Sequence, residues 1–141
     1  YPGFPTDAQA PLMAAALRAD GTTVFTETIF QNRYRHVSEM ARMGARVRTE
    51  GRVAIVTGVP RLHGASVRCT DLRGGAALCA AALAAEGQSV IAEIHHIERG
   101  YEHLDESLRQ LGANITRSDH ETEAEETQTE QPTTSEEGAG A

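Results

Sequence analysis

The chain has 141 residues, 40% of them apolar, which suffices for one modest domain and excludes a large two-domain enzyme. Its formal net charge of −7 arises at the C-terminal end, where residues 118–141 hold eight acidic residues and neither Arg nor Lys. The preceding residues are nearly neutral and contain no apolar run of bilayer length, so neither nucleic-acid binding nor a membrane span is indicated.

Apolar periodicity and turn residues predict helices alternating with strands along the chain, an α/β fold. The predicted helices lie near residues 7–19, 37–43, 71–85 and 101–111. The predicted strands lie near residues 22–29, 45–49, 52–57, 66–69, 88–95 and 113–117. Four glycines are expected to end helices in the left-handed conformation: Gly21, Gly44, Gly87 and Gly112. Gly51 is expected to turn a hairpin.

Features of the first half of the chain recur 64 to 68 residues later. The matching pairs are Thr6-Asp7 with Thr70-Asp71, Asp20-Gly21 with Glu86-Gly87, Arg33 with Arg99, and Met43-Gly44-Ala45 with Leu111-Gly112-Ala113. Such a period predicts a tandem structural unit. Exposed edges of two such units predict marginal stability or self-association when no further unit covers them.

The repeated charged residues indicate a site for a small anion. Asp7 and Asp71 lie at helix starts, where a capping role explains them equally well. Arg33, Arg73 and Arg99 would converge from different turns, and guanidinium groups bind phosphate or carboxylate bidentately. A surface position in a loop is the alternative for Arg33 and Arg99. Gly74-Gly75, next to Arg73, would let a ligand approach.

Neither a metal site nor a disulfide is predicted. Cys69 and Cys79 lie in a short strand and an Ala-rich helix, where both are expected to be small buried apolar residues. His95 and His96 are adjacent in a predicted strand, which would point them to opposite faces and prevent joint metal ligation.

Four long segments carry a resemblance to a known family: YPGFPTDAQA, TETIFQNRYRHVSEMARMGA, GVPRLHGASVRCTDLRGGAAL and ERGYEHLDESLRQLGA. Residues 1–117 resemble the C-terminal part of UDP-N-acetylglucosamine 1-carboxyvinyltransferases (MurA), which are enolpyruvyl transferases. The resemblance implies an inside-out α/β barrel of repeated βαβαββ units, with nearly two units present. Residues 118–141 are expected to be a disordered acidic tail. The chain starts at Tyr1 within a Pro- and Gly-rich run and is interpreted as a fragment.

The reaction implied is transfer of the enolpyruvyl group of phosphoenolpyruvate to the 3′-hydroxyl of UDP-N-acetylglucosamine, with release of phosphate. It is a cytoplasmic step of peptidoglycan synthesis and uses no metal or organic cofactor. The implied partners are the two small-molecule substrates and the missing N-terminal part of the enzyme, so the fragment itself is expected to be inactive. Two alternatives stay open: a 5-enolpyruvylshikimate-3-phosphate synthase-like transferase, and a non-catalytic binding paralogue.

The resemblance also assigns roles to individual residues. Asp7 is the expected general base at the sugar hydroxyl, and Ile29 contacts the nucleotide sugar. Arg33, Arg73 and Arg99 gather around the phosphate and carboxylate, and Asp71 orients an arginine or relays a proton. Where the family commonly has Ala-Ser, this chain has Gly74-Gly75, which is expected to loosen the helical turn that aims Arg73, because glycine disfavours helix by about 1 kcal/mol.

Overall fold

A computed structural model describes residues 2–118 of the chain, so the predicted acidic tail lies outside the described residues apart from Ser118. A 3₁₀ turn, Thr6–Ala8, precedes five helices: α1 (Gln9–Ala16), α2 (Val37–Arg42), α3 (Leu72–Leu83), α4 (His95–Glu98) and α5 (Leu104–Gln110). The strands are β1 (Thr22–Thr26), β2 (Arg46–Glu50), β3 (Val53–Thr57), β4 (Leu62–His63), β5 (Ser66–Arg68), β6 (Ala85–Glu86) and β7 (Val90–Ala92). The predicted mixture of helices and strands is confirmed.

Three predicted strands differ from those observed. The strand expected over residues 22–29 ends at Thr26. The strand expected over residues 88–95 ends at Ala92, because Glu93 takes a left-handed backbone conformation (φ 60°) and His95 begins a helix. Residues 113–117 form no strand, since no sheet among the described residues includes them. The two-residue strands β4 and β6 were not predicted, and they are too short to show a periodicity.

The strands form one antiparallel sheet and two small parallel pairs. The antiparallel sheet has the order β1-β3-β2, and Val24, Ile55 and Arg48 lie opposite one another across it. Gly51, with a φ of 57°, makes the predicted turn between β2 and β3. The pairs are β4 with β6 and β5 with β7. The segment β5-α3-β7 is therefore a βαβ unit, in which both strands point their carboxyl ends to the same edge.

Two of the four predicted helix ends are confirmed. All four glycines have φ values between 85° and 95°, but only Gly44 and Gly112 directly follow the C-caps of helices, α2 and α5. Gly21 lies beyond the end of α1, directly before β1, and Gly87 follows β6 and not α3, so the prediction is wrong for these two. A residue with a side chain is strained in this conformation, so glycine lets the chain reverse directly after a helix.

Helices α1 and α3 pack against each other over the main core. Met13 and Leu17 of α1 and Leu78 of α3 are fully buried in it. A second, smaller cluster joins Cys69, Cys79 and Ile97. Both cysteines are free, and burial raises the pKa of Cys69 to about 12 and that of Cys79 to about 11. They are thus unreactive thiols that act as small buried residues, as predicted.

Within residues 2–118, no helix combines the length and the apolar character that crossing a bilayer requires.

Candidate functional site

Asp7 and Arg73 form an ion pair that joins the two recurring Thr-Asp motifs. The Nε of Arg73 donates a hydrogen bond to Oδ1 of Asp7 at 2.5 Å. Asp7 precedes α1 and Arg73 lies in the first turn of α3, so the pair brings the beginnings of these helices together. The side chains are 69% and 32% exposed, and a pair this exposed adds little to stability. Its importance is that a carboxylate and a guanidinium face solvent side by side.

The second Thr-Asp motif has a different role. Asp71 is the N-cap of α3, and its Oδ1 accepts a hydrogen bond from the backbone N–H of Gly74 at 2.8 Å. Asp7 caps no helix, because Pro5 occupies the N-cap position of the 3₁₀ turn. The capping explanation is therefore right for Asp71 and wrong for Asp7. The carboxylate of Asp7 is left available to Arg73 and to solvent.

Glu27 is a buried acidic residue that sequence reasoning missed. Its Oε2 accepts a hydrogen bond from the Thr6 hydroxyl at 2.7 Å, and its Oε1 accepts from the backbone N–H groups of Ile29 at 3.0 Å and Phe30 at 3.3 Å. Glu27 is only 4% exposed. It therefore ties the residue before Asp7 to the turn that carries Ile29.

The electrostatics of Glu27 show how fully this carboxylate is satisfied. Burial alone would raise the pKa of Glu27, but the three hydrogen bonds and the charge of Arg33 outweigh it and lower the pKa below 4.5. The sequence did hold a signal for the burial of Glu27. Side chains alternate between the two faces of a strand, so Glu27, two residues after the buried Phe25, is expected on the same, inward face. An acidic residue at an inward position needs hydrogen-bond donors around it.

Ile29 and Arg33 lie in the turn that follows β1. Ile29 is 44% exposed, as a residue that contacts a ligand requires. The guanidinium carbon of Arg33 lies 4.0 Å above the ring centroid of Phe30, a cation–π contact that keeps this arginine beside the turn. Arg33 is half-buried, so it is not simply a surface charge in a loop.

Arg99 lies at the same edge of the β5–β7 pair as Arg73, although a different helix places it there. It follows α4, after the carboxyl end of β7, as Arg73 follows the carboxyl end of β5. Gly100 packs directly on Leu72, since a Cβ on Gly100 would lie 2.8 Å from Leu72 Cδ2. The backbone at Arg99 therefore touches the first turn of α3. Among residues 2–118, the exposed Arg99 side chain has no hydrogen-bond or ion-pair partner.

Three of the predicted site residues, Asp7, Asp71 and Arg73, lie together at the first turn of α3, and no hydrogen bond or ion pair in the described part of the chain joins Ile29, Arg33 or Arg99 to them. Asp7 and Arg73 touch directly, and Asp71 caps the same turn. Glu27 connects Ile29 to the Asp7 segment, while Arg33 stacks on Phe30. Neither Arg33 nor Arg99 forms an ion pair with the Asp7 carboxylate in the described part of the chain. Their guanidinium groups stay available for an anion.

Gly74 and Gly75 require two corrections. Both are buried, and a Cβ on Gly74 would lie 3.0 Å from the Cβ of His36, while a Cβ on Gly75 would lie 2.7 Å from Cγ1 of Ile97. The space beside them is filled by protein side chains, so it does not admit a ligand. Close packing also restrains the turn, which contradicts the expectation that the two glycines loosen it.

His36, which packs on Gly74, is a second buried polar residue that the sequence did not reveal. It is 1% exposed, and neither ring nitrogen has a hydrogen-bond partner in the described part of the chain. Burial lowers the pKa of His36 below 6.5, although the nearby carboxylate of Asp71 opposes the shift. His36 is therefore neutral at pH 7 and supports the capped end of α3 by packing. A lone His before a helix carries no sequence signal of this role.

One group of potential metal ligands lies close together among residues 2–118, namely Glu93, His95 and His96. The two histidines belong to α4, and their ring centroids are 4.1 Å apart. The prediction that they point to opposite faces is therefore wrong, because the strand ends before them. The group is separate from the Asp7–Arg73 pair.

The arrangement around α3 suits the chemistry of an oxygen-rich anion and a hydroxyl. Arg73 uses Nε for Asp7, and its two terminal amino groups have no partner among residues 2–118, so they can donate to a phosphate or carboxylate. The second oxygen of Asp7 can accept a proton from a hydroxyl bound next to that anion. Charged donors held in place before the reaction stabilise negative charge as it develops.

Comparisons with known proteins agree with this chemistry. Residues 1–108 match the family described as EPSP synthase (3-phosphoshikimate 1-carboxyvinyltransferase). UDP-N-acetylglucosamine 1-carboxyvinyltransferase 1 of Symbiobacterium thermophilum is 56% identical over 117 residues, which is 83% of this chain and 26% of that protein. The UDP-N-acetylglucosamine 1-carboxyvinyltransferase of Paramagnetospirillum magneticum is 54% identical over 83% of this chain and 27% of its own length.

A solved structure of an enolpyruvyl transferase has a similar fold. The enolpyruvyl transferase NikO from Streptomyces tendae superposes with a TM-score of 0.73 at 36% identity, over 78% of this chain and 26% of that one. The chain thus spans about a quarter of the length of the relatives it matches. Because the family match covers residues 1–108, the chain belongs to the EPSP synthase family of enolpyruvyl transferases.

Proposed function

We propose that this chain forms part of the active site of a UDP-N-acetylglucosamine 1-carboxyvinyltransferase. The enzyme would transfer the enolpyruvyl group of phosphoenolpyruvate to the 3′-hydroxyl of UDP-N-acetylglucosamine and release phosphate. The observation that carries the proposal is the solvent-facing Asp7–Arg73 pair. The identity of 53–56% to relatives named for this reaction favours the nucleotide sugar over shikimate 3-phosphate as the acceptor.

The pair explains how the acceptor hydroxyl and the anion meet. Arg73 holds the Asp7 carboxylate through Nε while its terminal amino groups bind the phosphate or carboxylate of the phosphoenolpyruvate-derived group. Asp7 then lies next to the reacting carbon and takes the proton of the 3′-hydroxyl as its oxygen attacks. Because one guanidinium contacts both groups, the base and the anion are positioned together.

The other residues complete the binding of the substrates. Arg33 and Arg99 supply further positive charge for the tetrahedral intermediate, which bears both phosphate and carboxylate. Ile29 contacts the nucleotide sugar from the turn held by Glu27. Asp71 acts through α3, whose first turn it caps and which carries Arg73. Asp71 is thus a positioning residue in this proposal.

The remaining three quarters of the enzyme would complete the cleft. In this proposal the described elements belong to an inside-out α/β barrel of repeated βαβαββ units, and the site opens towards a second domain. The residues of this chain alone would not turn over substrate. A cytoplasmic location, a role in peptidoglycan synthesis and independence from metal or organic cofactors belong to the same proposal.

Phosphate release by the full-length protein that contains this chain tests the proposal. Phosphoenolpyruvate is supplied with UDP-N-acetylglucosamine, with shikimate 3-phosphate, or with no acceptor. We expect release only with the nucleotide sugar, and a loss of at least 100-fold in Arg73→Ala, about the value of one lost oxyanion donor. Arg61→Ala is the matched control, because Arg61 forms an exposed ion pair with Glu86, beyond the opposite end of α3.

The outcomes separate the candidate functions. Release with shikimate 3-phosphate alone would assign the chain to the shikimate branch of the family. No release with either acceptor would leave a binding protein that keeps the fold. Equal activity of the Arg73→Ala and Arg61→Ala variants would show that Arg73 does not bind the anion.

A further inference from the structure

Glu93, His95 and His96 form a compact group of potential metal ligands between β7 and α5. One ligand atom from each side chain lies within 4.8 Å of the other two. Nδ1 of His95 is 3.4 Å from Oε2 of Glu93, and the two imidazole rings are 4.1 Å apart between centroids. Three ligand atoms therefore lie close enough together for side-chain rotation alone to bring them around one ion.

The backbone that creates this convergence is tightly held. Glu93 adopts a left-handed conformation (φ 60°), which is strained for a residue with a side chain. The N–H of His96 then donates to the carbonyl of Glu93 at 3.2 Å, so the chain turns directly into α4. Adjacent residues on a helix differ by about 100° in direction, and not by the 180° of a strand. The strained turn thus brings both rings to the side of Glu93.

The turn is also anchored in the interior. Ile97, the residue after His96, is 5% exposed and packs on Gly75 of α3. The ligand side chains themselves are exposed or half-buried, so they are free to rotate. A fixed backbone with movable ligand side chains allows an ion to close the group without disturbing the core.

The ligand chemistry selects a class of metal ion. Two imidazoles and one carboxylate suit Zn²⁺ and its neighbours in the first transition series, whereas Mg²⁺ and Ca²⁺ prefer oxygen ligands. Neighbouring ligands of tetrahedral Zn²⁺ lie about 3.3 Å apart, a spacing already met by His95 and Glu93 at 3.4 Å. We propose that Glu93, His95 and His96 bind a divalent first-row transition metal ion, Zn²⁺ above all, with water in the fourth position.

Calorimetric titration of the chain with Zn²⁺ in a non-coordinating buffer tests the site. We expect one ion per chain, and an affinity at least tenfold lower in each of Glu93→Gln, His95→Ala and His96→Ala, since even the loss of an outer-shell partner costs 10- to 100-fold. His63→Ala, which removes an exposed histidine from β4, is the matched control and should bind as the parent does. Circular dichroism of every variant verifies folding, and Glu93→Gln preserves the size of the side chain.

Co²⁺ gives an independent readout, because its visible absorption reports the coordination geometry. The parent chain should develop the intense bands of a four-coordinate ion, and His95→Ala should not. Unchanged Zn²⁺ affinity in both histidine variants would overturn the proposal. If the chain unfolded in urea bound Zn²⁺ as tightly as the folded chain, the proposal would also be overturned. Binding would then require histidines but not the folded turn at Glu93.

Discussion

At the scale of single residues, the site depends on which carboxylates are free and which are already engaged. The two carboxylate oxygens of Asp71 accept hydrogen bonds from the backbone of α3 and from the Thr70 hydroxyl, and Glu27 accepts three hydrogen bonds. Asp7 alone among these three keeps an oxygen for a substrate. Two identical Thr-Asp motifs thus differ in chemistry because their surroundings differ.

Glu27→Gln tests the connection between the Asp7 segment and the Ile29 turn. Hydrogen bonds to a charged acceptor are stronger than those to a neutral one, so we expect the free energy of unfolding to fall by about 1–3 kcal/mol. Urea denaturation at pH 7 measures it. Glu50→Gln, at an exposed position on β2, is the control and should change stability by less than about 0.5 kcal/mol. Similar losses in both variants would contradict the role given to Glu27.

His36 predicts a dependence of stability on pH. Its pKa is lowered in the folded chain, so below about pH 6.5 the unfolded chain binds a proton that the folded chain does not. The contribution of His36 to the free energy of unfolding should therefore be constant above that pH. It should fall on acidification by up to about 1.4 kcal/mol per pH unit.

The variant His36→Gln identifies the group responsible. Urea midpoints between pH 7.5 and 5.5 should fall less steeply in His36→Gln than in the parent, even if its stability is lower throughout. His63→Gln removes an exposed histidine and should keep the parent slope. An unchanged slope in His36→Gln would assign the dependence to other groups.

At the scale of elements, the first turn of α3 organises the site because three other segments pack on it. The 3₁₀ turn contributes Asp7, the segment before α2 contributes His36, and α4 contributes Ile97. Close approach of these segments is possible because Gly74 and Gly75 carry no side chains. The gain from packing outweighs the low helix propensity of two successive glycines.

Gly75→Ala should therefore destabilise the chain, although alanine favours helix by about 1 kcal/mol. The new methyl group would collide with Ile97, and overpacking costs about 1–3 kcal/mol. In an Ile97→Ala background the collision with Ile97 is relieved while Sγ of Cys69 stays close, 3.0 Å from the new Cβ, so Gly75→Ala should then destabilise much less. Urea denaturation of the parent, the two single variants and the double variant gives the coupling energy between the two substitutions. An equal loss of stability in both backgrounds would contradict the packing argument.

The elements also show what sequence could predict and what it could not. Helix ends at Gly44 and Gly112 were predictable, because a left-handed residue leaves a local signal. Asp7, Arg73 and Arg99 became candidate site residues through repetition and resemblance, and their roles stay predictions. The contacts of Glu27, His36 and Gly75 were not predictable, since each depends on residues distant in sequence. The turn at Glu93 was missed because its backbone conformation is unusual for a residue with a side chain.

At the scale of the whole molecule, one face of the antiparallel sheet is left uncovered. Val24 is 61% exposed and lies directly opposite Ile55, which is 38% exposed. Both outer strands of this sheet, β1 and β2, also have a free edge in the described part of the chain. Such a surface is typical of a piece that packs against further structure.

The chain alone should therefore self-associate. We expect sedimentation velocity to give a mean mass that rises with protein concentration, and a smaller rise in the double variant Val24→Thr/Ile55→Thr. Leu111→Ser is the control, because Leu111 is 85% exposed but lies outside the sheet. A monomeric parent at all concentrations would show that the exposed face does not drive association.

The central claim is that Asp7 acts as the base of an enolpyruvyl transferase while Arg73 holds it beside the anion. Single-turnover phosphate release by the full-length protein, comparing the parent with Asp7→Asn, tests this most directly. Asparagine keeps the shape and can still accept the hydrogen bond from Arg73, but it cannot take a proton. We predict that the rate falls by about 10²- to 10⁴-fold while phosphoenolpyruvate still binds. A rate within a few-fold of the parent would contradict the account.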